Sequence, residues 1–395
     1  MNDTIRQFRN FFVSIKLTVI LLVLGLLLVF AATIDQVHLG IWAIQEKWFR
    51  SFFVLQDVRG ILLPIFPGGY LIGGFLLVNL VAAHVYRFKF TWGKAGIQLT
   101  HIGLIMLLVG ELFTGLLQED FSMRLNQNEP KNYSESFRDN ELALVDTGNP
   151  QFDEVVAIPE TVVARGGEIQ HAKLPFRVAV REYYPNSSLR SRESTSPGAA
   201  NLPPSKATKG IGLNVAAFPI PMTYKQEERN IPAAFVELLA AEGSLGIWMV
   251  SADPRLPPQK IEHGGRTFTL QFRFTRAYKP FTLTLLKFSH DRYAGTEIPK
   301  NFSSRIRLQT PNGQDDREVL IYMNNPLRYS GMTFYQASFD PENPNVTILQ
   351  VVRNPSWLMP YIACSLMTFG LLWQFGIHLF AFVSKRRPAL QSKTA

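Results

Sequence analysis

The sequence predicts a membrane α protein carrying an extracytoplasmic all-β domain. Four transmembrane helices, three N-terminal and one C-terminal, flank a large antiparallel sandwich or barrel-like domain. Three observations carry this reading. Apolar residues gather into four blocks, at about 15–34, 68–86, 95–117 and 357–383, and each is long enough for roughly 30 Å of hydrocarbon, which takes about 20 helical residues. Between the third and fourth blocks the periodicity changes to short alternating runs rich in Val, Ile, Thr, Phe and Tyr. Lys and Arg concentrate in alternate flanks of the blocks, which fixes their direction.

In chain order, the first block ends in Ala31, Ala32 and Thr33, which imitate a cleavage site. The apolar run before them is longer than a signal-peptide core, so it reads as a retained helix. Arg6, Arg9 and Lys16 precede or open it, Arg87, Lys89 and Lys94 separate the second and third blocks, and Lys385, Arg386 and Arg387 follow the fourth. These flanks face the cytoplasm by the positive-inside rule. Both termini are then cytoplasmic in an inner-membrane, multi-pass arrangement. The loop 35–67 and the segment from 118 onward lie outside. The outer loop is aromatic and amphipathic over 41–58, which suits an aromatic belt or a helix in the interface. Pro64, Pro67, Gly68 and Gly69 then break the chain before the second helix.

Three regions follow: a membrane domain over 1–117, a β-rich domain over 118–355, and a helix with a basic cytoplasmic tail over 356–395. About ten strands are expected in the middle region, among them 141–146, 155–165, 176–184, 233–239 and 332–339, separated by turns such as Gly264-Gly265 and Asn312-Gly313. The stretch 186–210, rich in Ser and Pro and without period, is expected to be a mobile loop.

The net charge of +9 follows in part from the topological bias. No basic stripe with interleaved aromatics accompanies it, so nucleic acid is not an expected partner. The single cysteine, Cys364, lies in the fourth helix. Without CxxC or CxxCH the chain neither exchanges thiols by that chemistry nor is itself a c-type cytochrome. His171, His263 and His290 are scattered through the β region with no nucleophile elbow and no HExxH. No catalytic set is evident.

The chemistry-bearing residues lie in the helices. His84 is near the end of the second, His101 near the start of the third and His378 near the end of the fourth. Because the helices alternate in direction, all three fall on the cytoplasmic side, each within roughly 10 Å of that boundary. Ionisable groups in hydrocarbon are costly and face a partner, a cavity or a ligand. Gly96, Gly103 and Gly110 recur every seven residues on the third helix, a stripe that lets another helix approach. At 100° per residue His101 points about 160° away from Gly103. Glu111 lies about 15 Å deeper than His101, too far to orient it. Cys364, Met367, Leu371, Gln374 and His378 share one face of the fourth helix, as a packing stripe or a soft ligand set. Two imidazoles from neighbouring helices make a natural axial pair for haem, while zinc wants more convergent ligands. Haem, a proton or ion path, and plain structure remain open on these residues alone.

Several stretches resemble the ResB/CcsB-type cytochrome c biogenesis proteins of the system II pathway. They are FPGGYLIGGFLLVNLVAAHVYRF (66–88), GIQLTHIGLIMLLVGEL (96–112), LPFRVAVREYYPNS (174–187), and MNNPLRYSGMTFYQASFD leading to VVRNPSWLMPYI (323–362). The resemblance implies a subunit of a haem-delivery and cytochrome c synthase complex that handles haem b. With a CcsA/ResC-type partner it presents haem for attachment to the CxxCH of apocytochrome c. His101 matches the family's third-helix histidine and would be an axial ligand of the haem iron. His84 matches a second-helix position, and His378 has no clear counterpart. The partner's tryptophan-rich segment is absent, since Trp42, Trp48, Trp92, Trp248, Trp357 and Trp373 do not cluster. The alternative is a scaffold that binds no haem and positions the partner or the apocytochrome.

Overall fold

The structure, a computed structural model, describes residues 3–58, 61–87, 91–149, 152–192, 202–223, 229–292, 299–340, 343 and 345–391. It divides into two compact units: 1–119 with 353–395, and 120–223 with 227–352.

The membrane unit opens with α1 (Asp3–Phe12) and α2 (Ile15–Leu39), then α3 (Ile41–Ile44) and a π-helical turn, Gln45–Phe49. A hairpin follows, β1 (Phe53–Val58) on β2 (Ile61–Pro67), then α4 (Gly69–Arg87) and α5 (Ala95–Leu117). The interfacial helix considered over 41–58 is therefore only one short helical segment. Phe53, Val54 and Leu55 favour an extended backbone, and β1 pairs with β2 in place of continuing the helix. Helix α2 runs five residues past the expected 34, to Leu39, because its C-terminal end is anchored. Asp35 accepts hydrogen bonds from Lys47 Nζ and Trp48 Nε1, both at 2.9 Å.

Helix α1 was not foreseen, although Ile5, Phe8, Phe11 and Phe12 at spacings of three and four are its amphipathic signature. Its end is tied to α4 by Asn79, which is 1 % exposed. Asn79 Nδ2 donates to Phe12 O (2.6 Å) and Ser14 O (3.2 Å), and its Oδ1 accepts from Thr18 Oγ1 (2.6 Å). A helix break exposes backbone carbonyls that lipid cannot satisfy, and this amide satisfies them.

The β unit contains β3 (Glu119–Asn126), β4 (Pro130–Asp146), β5 (Glu154–Pro159), α6 (Glu160–Val163), β6 (Gly167–Ile169), β7 (Arg177–Tyr184), β8 (Ser187–Ser191) and β9 (Val215–Pro219). It continues with β10 (Ala233–Ala240), β11 (Gly243–Ser251), β12 (Gln259–His263), β13 (Arg266–Arg292), β14 (Pro299–Gln309), β15 (Asp316–Tyr322), β16 (Leu327–Tyr329), β17 (Met332–Phe339) and β18 (Val346–Arg353). A ten-stranded sheet runs β15-β14-β13-β4-β3-β18-β17-β16, with β12 on β13 and β5 on β4. Its ends approach each other, β15 lying against β16 and β17, so this half is a nearly closed barrel. The other half is covered by the sheet β11-β10-β7-β6. Among the described residues the paired strands run antiparallel, and the turn Gly264-Gly265 joins β12 to β13 with φ of +58° and +73°. Both central residues at positive φ suit the twist of a two-residue hairpin, and glycine adopts them without strain.

Two apolar cores result. One gathers Leu142, Leu144, Val178, Val236, Trp248 and Phe268 between the two sheets; the other gathers Leu125, Phe281, Leu283, Ile306, Phe334 and Leu349 inside the barrel. The long strands β4 and β13 contribute to both halves. The stretch 186–210, expected as a loop, contains β8, which pairs with β9, and Thr208 and Lys209, whose backbone amides donate to Ile247 O. Residues 193–201 lie outside the description, as does Lys89.

The last element is α7 (Met359–Gln391) in the membrane unit. Lys385, Arg386 and Arg387 continue its helix beyond the membrane-length segment that ends at Ser384. Four helical segments are long and apolar enough to cross a membrane: Ile15–Leu39, Gly69–Arg87, Trp92–Leu117 and Met359–Ser384. The chain is a multi-pass membrane protein by that measure.

Candidate functional site

Helix α5 has two working faces. A Cβ on Gly96 would lie 2.5 Å from Gly370 O, one on Gly103 2.7 Å from Ala363 O, and one on Gly110 2.9 Å from Met359 Cβ. The glycine stripe is thus filled by α7, at an approach that any side chain would prevent. Thr100 Oγ1 bonds its own helix at Gly96 O (2.9 Å) and leaves the contact flush.

The other face carries His101, and α4 brings His84 to it. The two imidazole rings lie 6.5 Å apart, centroid to centroid, inclined by 30°, and both side chains are half-buried. His101 Nδ1 is 2.7 Å from Ile97 O, one turn back. A carbonyl oxygen only accepts, so Nδ1 carries the proton and Nε2 of the neutral ring is the nitrogen with a lone pair. That is the arrangement by which a ligating histidine is oriented through its other ring nitrogen. The two rings are near enough to offer nitrogen donors to one ligand.

His378 does not join this pair. Its Nε2 is 3.0 Å from Gln374 Nε2 on its own helix. The stripe on α7 also divides. The Met367 and Gln374 backbone and near side-chain atoms meet Gly103 and Gly96, whereas Cys364 is exposed. It packs against α5 and gathers no ligand set. Among the described residues no group of three His, Cys, Asp or Glu side chains converges as for a metal ion.

Glu111 belongs elsewhere. It lines a cavity of about 980 Å³ formed by the ends of α2, α4 and α5 away from the histidines, together with the turn that carries Arg50. Gly73, Gly74 and Gly115 line it too, and a Cβ on any of them would meet nothing within 4 Å. In the β unit the histidines act singly. His263 stands edge-on to Phe176, and His290 sits 4.7 Å from the ring centroids of both Phe302 and Phe339.

Sequence reasoning missed Asn79, whose signal is one amide in the run NLVAAH. It also could not show that the half of α4 carrying His84 would face His101.

Residues 260–348, from β12 into the start of β18, match the family described as ResB-like. Over that stretch the chain is similar to the ResB-like family. Protein NrfI of Wolinella succinogenes is 36 % identical over 94 residues, which is 24 % of this chain and 10 % of that protein. The match thus spans about a tenth of the length of its relative. The ResB-like stretch includes β16 and β17, which carry the PLRY and FYQ runs. His84 and His101 lie outside it, so their reading rests on their geometry.

Proposed function

We propose that this chain is a haem-handling membrane subunit in cytochrome c biogenesis, with His101 and His84 as the nitrogen ligands of haem b. The observation that carries this is the imidazole pair itself: two rings on adjacent membrane helices, one with its tautomer set by a backbone carbonyl. Haem, when bound, would supply an iron that takes nitrogen donors within an apolar macrocycle, which suits a helix-lined membrane site. His101, oriented through the Ile97 carbonyl, and His84 from α4 would hold it. The fixed α5–α7 contact keeps His101 on the opposite face.

The ResB-like stretch supports a place in cytochrome c biogenesis. Within that reading the chain sits in the cytoplasmic membrane with both termini inside and the β unit outside. A CcsA/ResC-type subunit is its partner, and apocytochrome c receives the haem there.

The test is the visible spectrum of the chain purified with its partner, before and after His101→Ala and His84→Ala. Each single change is expected to abolish the six-coordinate, low-spin spectrum, and added imidazole is expected to restore it. Full haem content with an unchanged spectrum in both variants would sink the assignment in favour of a scaffold.

A further inference from the structure

The outward face of β4 and β13 carries cations stacked on aromatic rings, with too little acid to balance them. Alternate residues of β4, namely Lys131, Tyr133, Glu135 and Phe137, are half-exposed, while Ser134 and Ser136 between them are buried. On β13, Arg276 pairs with Glu135 and Tyr278 with Tyr133. The Arg276 guanidinium lies 4.1 Å from the Tyr133 ring centroid and the Lys131 ammonium 4.4 Å from it. Tyr278, 53 % exposed, is 5.7 Å from Tyr133, ring to ring. Arg229 stands 4.9 Å over Phe274 and 5.7 Å from Phe137. Glu135, bonded by Arg276 Nε at 3.1 Å, is the acidic member of this row.

A guanidinium laid on an aromatic ring keeps its N–H fork at the edge, where it meets a carboxylate in two parallel hydrogen bonds. Residues i and i+2 of a strand lie about 7 Å apart, and an extended peptide has the same repeat. The row follows the strand direction, so a small anion would be held at one point while an extended chain could follow it.

We propose that this face is a docking surface for an acidic, aromatic-containing extended segment of a partner polypeptide, whose carboxylates meet Lys131, Arg276 and Arg229 and whose rings pack on the exposed Tyr278. The surface is independent of the haem site.

The test uses the full chain in detergent and a fluorescein-labelled peptide alternating glutamate and tyrosine, read by anisotropy. The peptide binds, its glutamine–tyrosine counterpart does not, and added salt weakens the complex by screening. The double variant Lys131→Gln/Arg229→Gln weakens binding by about tenfold or more, while Arg305→Gln/Arg317→Gln, elsewhere in the same unit, leaves it unchanged. Circular dichroism of both variants confirms the fold. Equal binding of the neutral peptide, unchanged affinity in the first double variant, full displacement by free glutamate at equal concentration, or binding of phosphatidylglycerol vesicles in place of the peptide overturns the proposal.

Discussion

At the residue scale, Lys279 shows how local chain geometry can place a charge where the sequence gives no warning. The β4–β13 pairing passes from Tyr278↔Tyr133 to Leu283↔Lys131, so Lys279 falls in a wide bulge, a device that re-aims side chains. It is 6 % exposed and donates to Ser134 Oγ (2.7 Å) and Ala277 O (3.2 Å). Burial pushes its ammonium down to about 8 from 10.5. The folded pKa is below the unfolded one, so between about pH 8 and 10.5 the unfolded state holds a proton that the folded state has shed. Stability at this site therefore rises with pH across that window, and the penalty is complete below it. Lys279→Met, similar in volume and uncharged, is expected to stabilise the β unit by about 1–2 kcal/mol at pH 7. The difference from the parent chain should shrink as pH is raised toward 10, as thermal unfolding at a series of pH values would show. His101 is the converse case: its position in THIGLIMLLVG was plain in the sequence, and the structure added the carbonyl that sets its tautomer.

At the element scale, the contrast between filled and open glycines makes a sharp prediction. Gly103 faces Ala363 O and Met367, and Gly103→Leu is expected to lower the stability of the α5–α7 contact by about 1–3 kcal/mol through overpacking. Gly73 meets nothing within 4 Å, and Gly73→Ala should be neutral or stabilising by up to about 1 kcal/mol, because glycine is a poor helix former. Thermal midpoints in the same detergent compare the two, and an equal effect of both would contradict the packing assigned to α5. The seven-residue glycine repeat announced a helix contact, and the angle from it told which way His101 would not point. That α7 fills the stripe and α4 supplies the imidazole could not be read from either helix alone. The hairpin of β1 and β2 was hidden for the same reason: its aromatic run satisfies a helical pattern as well as a strand pattern, and pairing decided it.

At the scale of the whole molecule, the two cores of the β unit share strand β13, which places Phe268 and Leu270 in one and Phe281 and Leu283 in the other. Leu142 of β4 lies in one core and Leu349 of β18 in the other, each 0 % exposed. Because β13 runs through both cores, the unit should unfold in one transition. Leu142→Ala and Leu349→Ala are each expected to cost about 2–5 kcal/mol and to move a single midpoint. Two separate transitions under hydrogen exchange, each sensitive to only one of the variants, would refute that cooperativity.

The sequence by itself determined what depends on solvent and period: which blocks belong in hydrocarbon, that the middle of the chain is antiparallel β, and which histidines lie within the helices. These follow from transfer free energy and from the 3.6- and two-residue repeats, both local properties. Only the tertiary structure decided which helix faces meet, because that depends on where two distant backbones can approach. It set His84 beside His101, turned His378 toward Gln374, gave Glu111 a cavity away from the histidines, and brought Arg229 across the sequence onto the cation–aromatic row of β4 and β13.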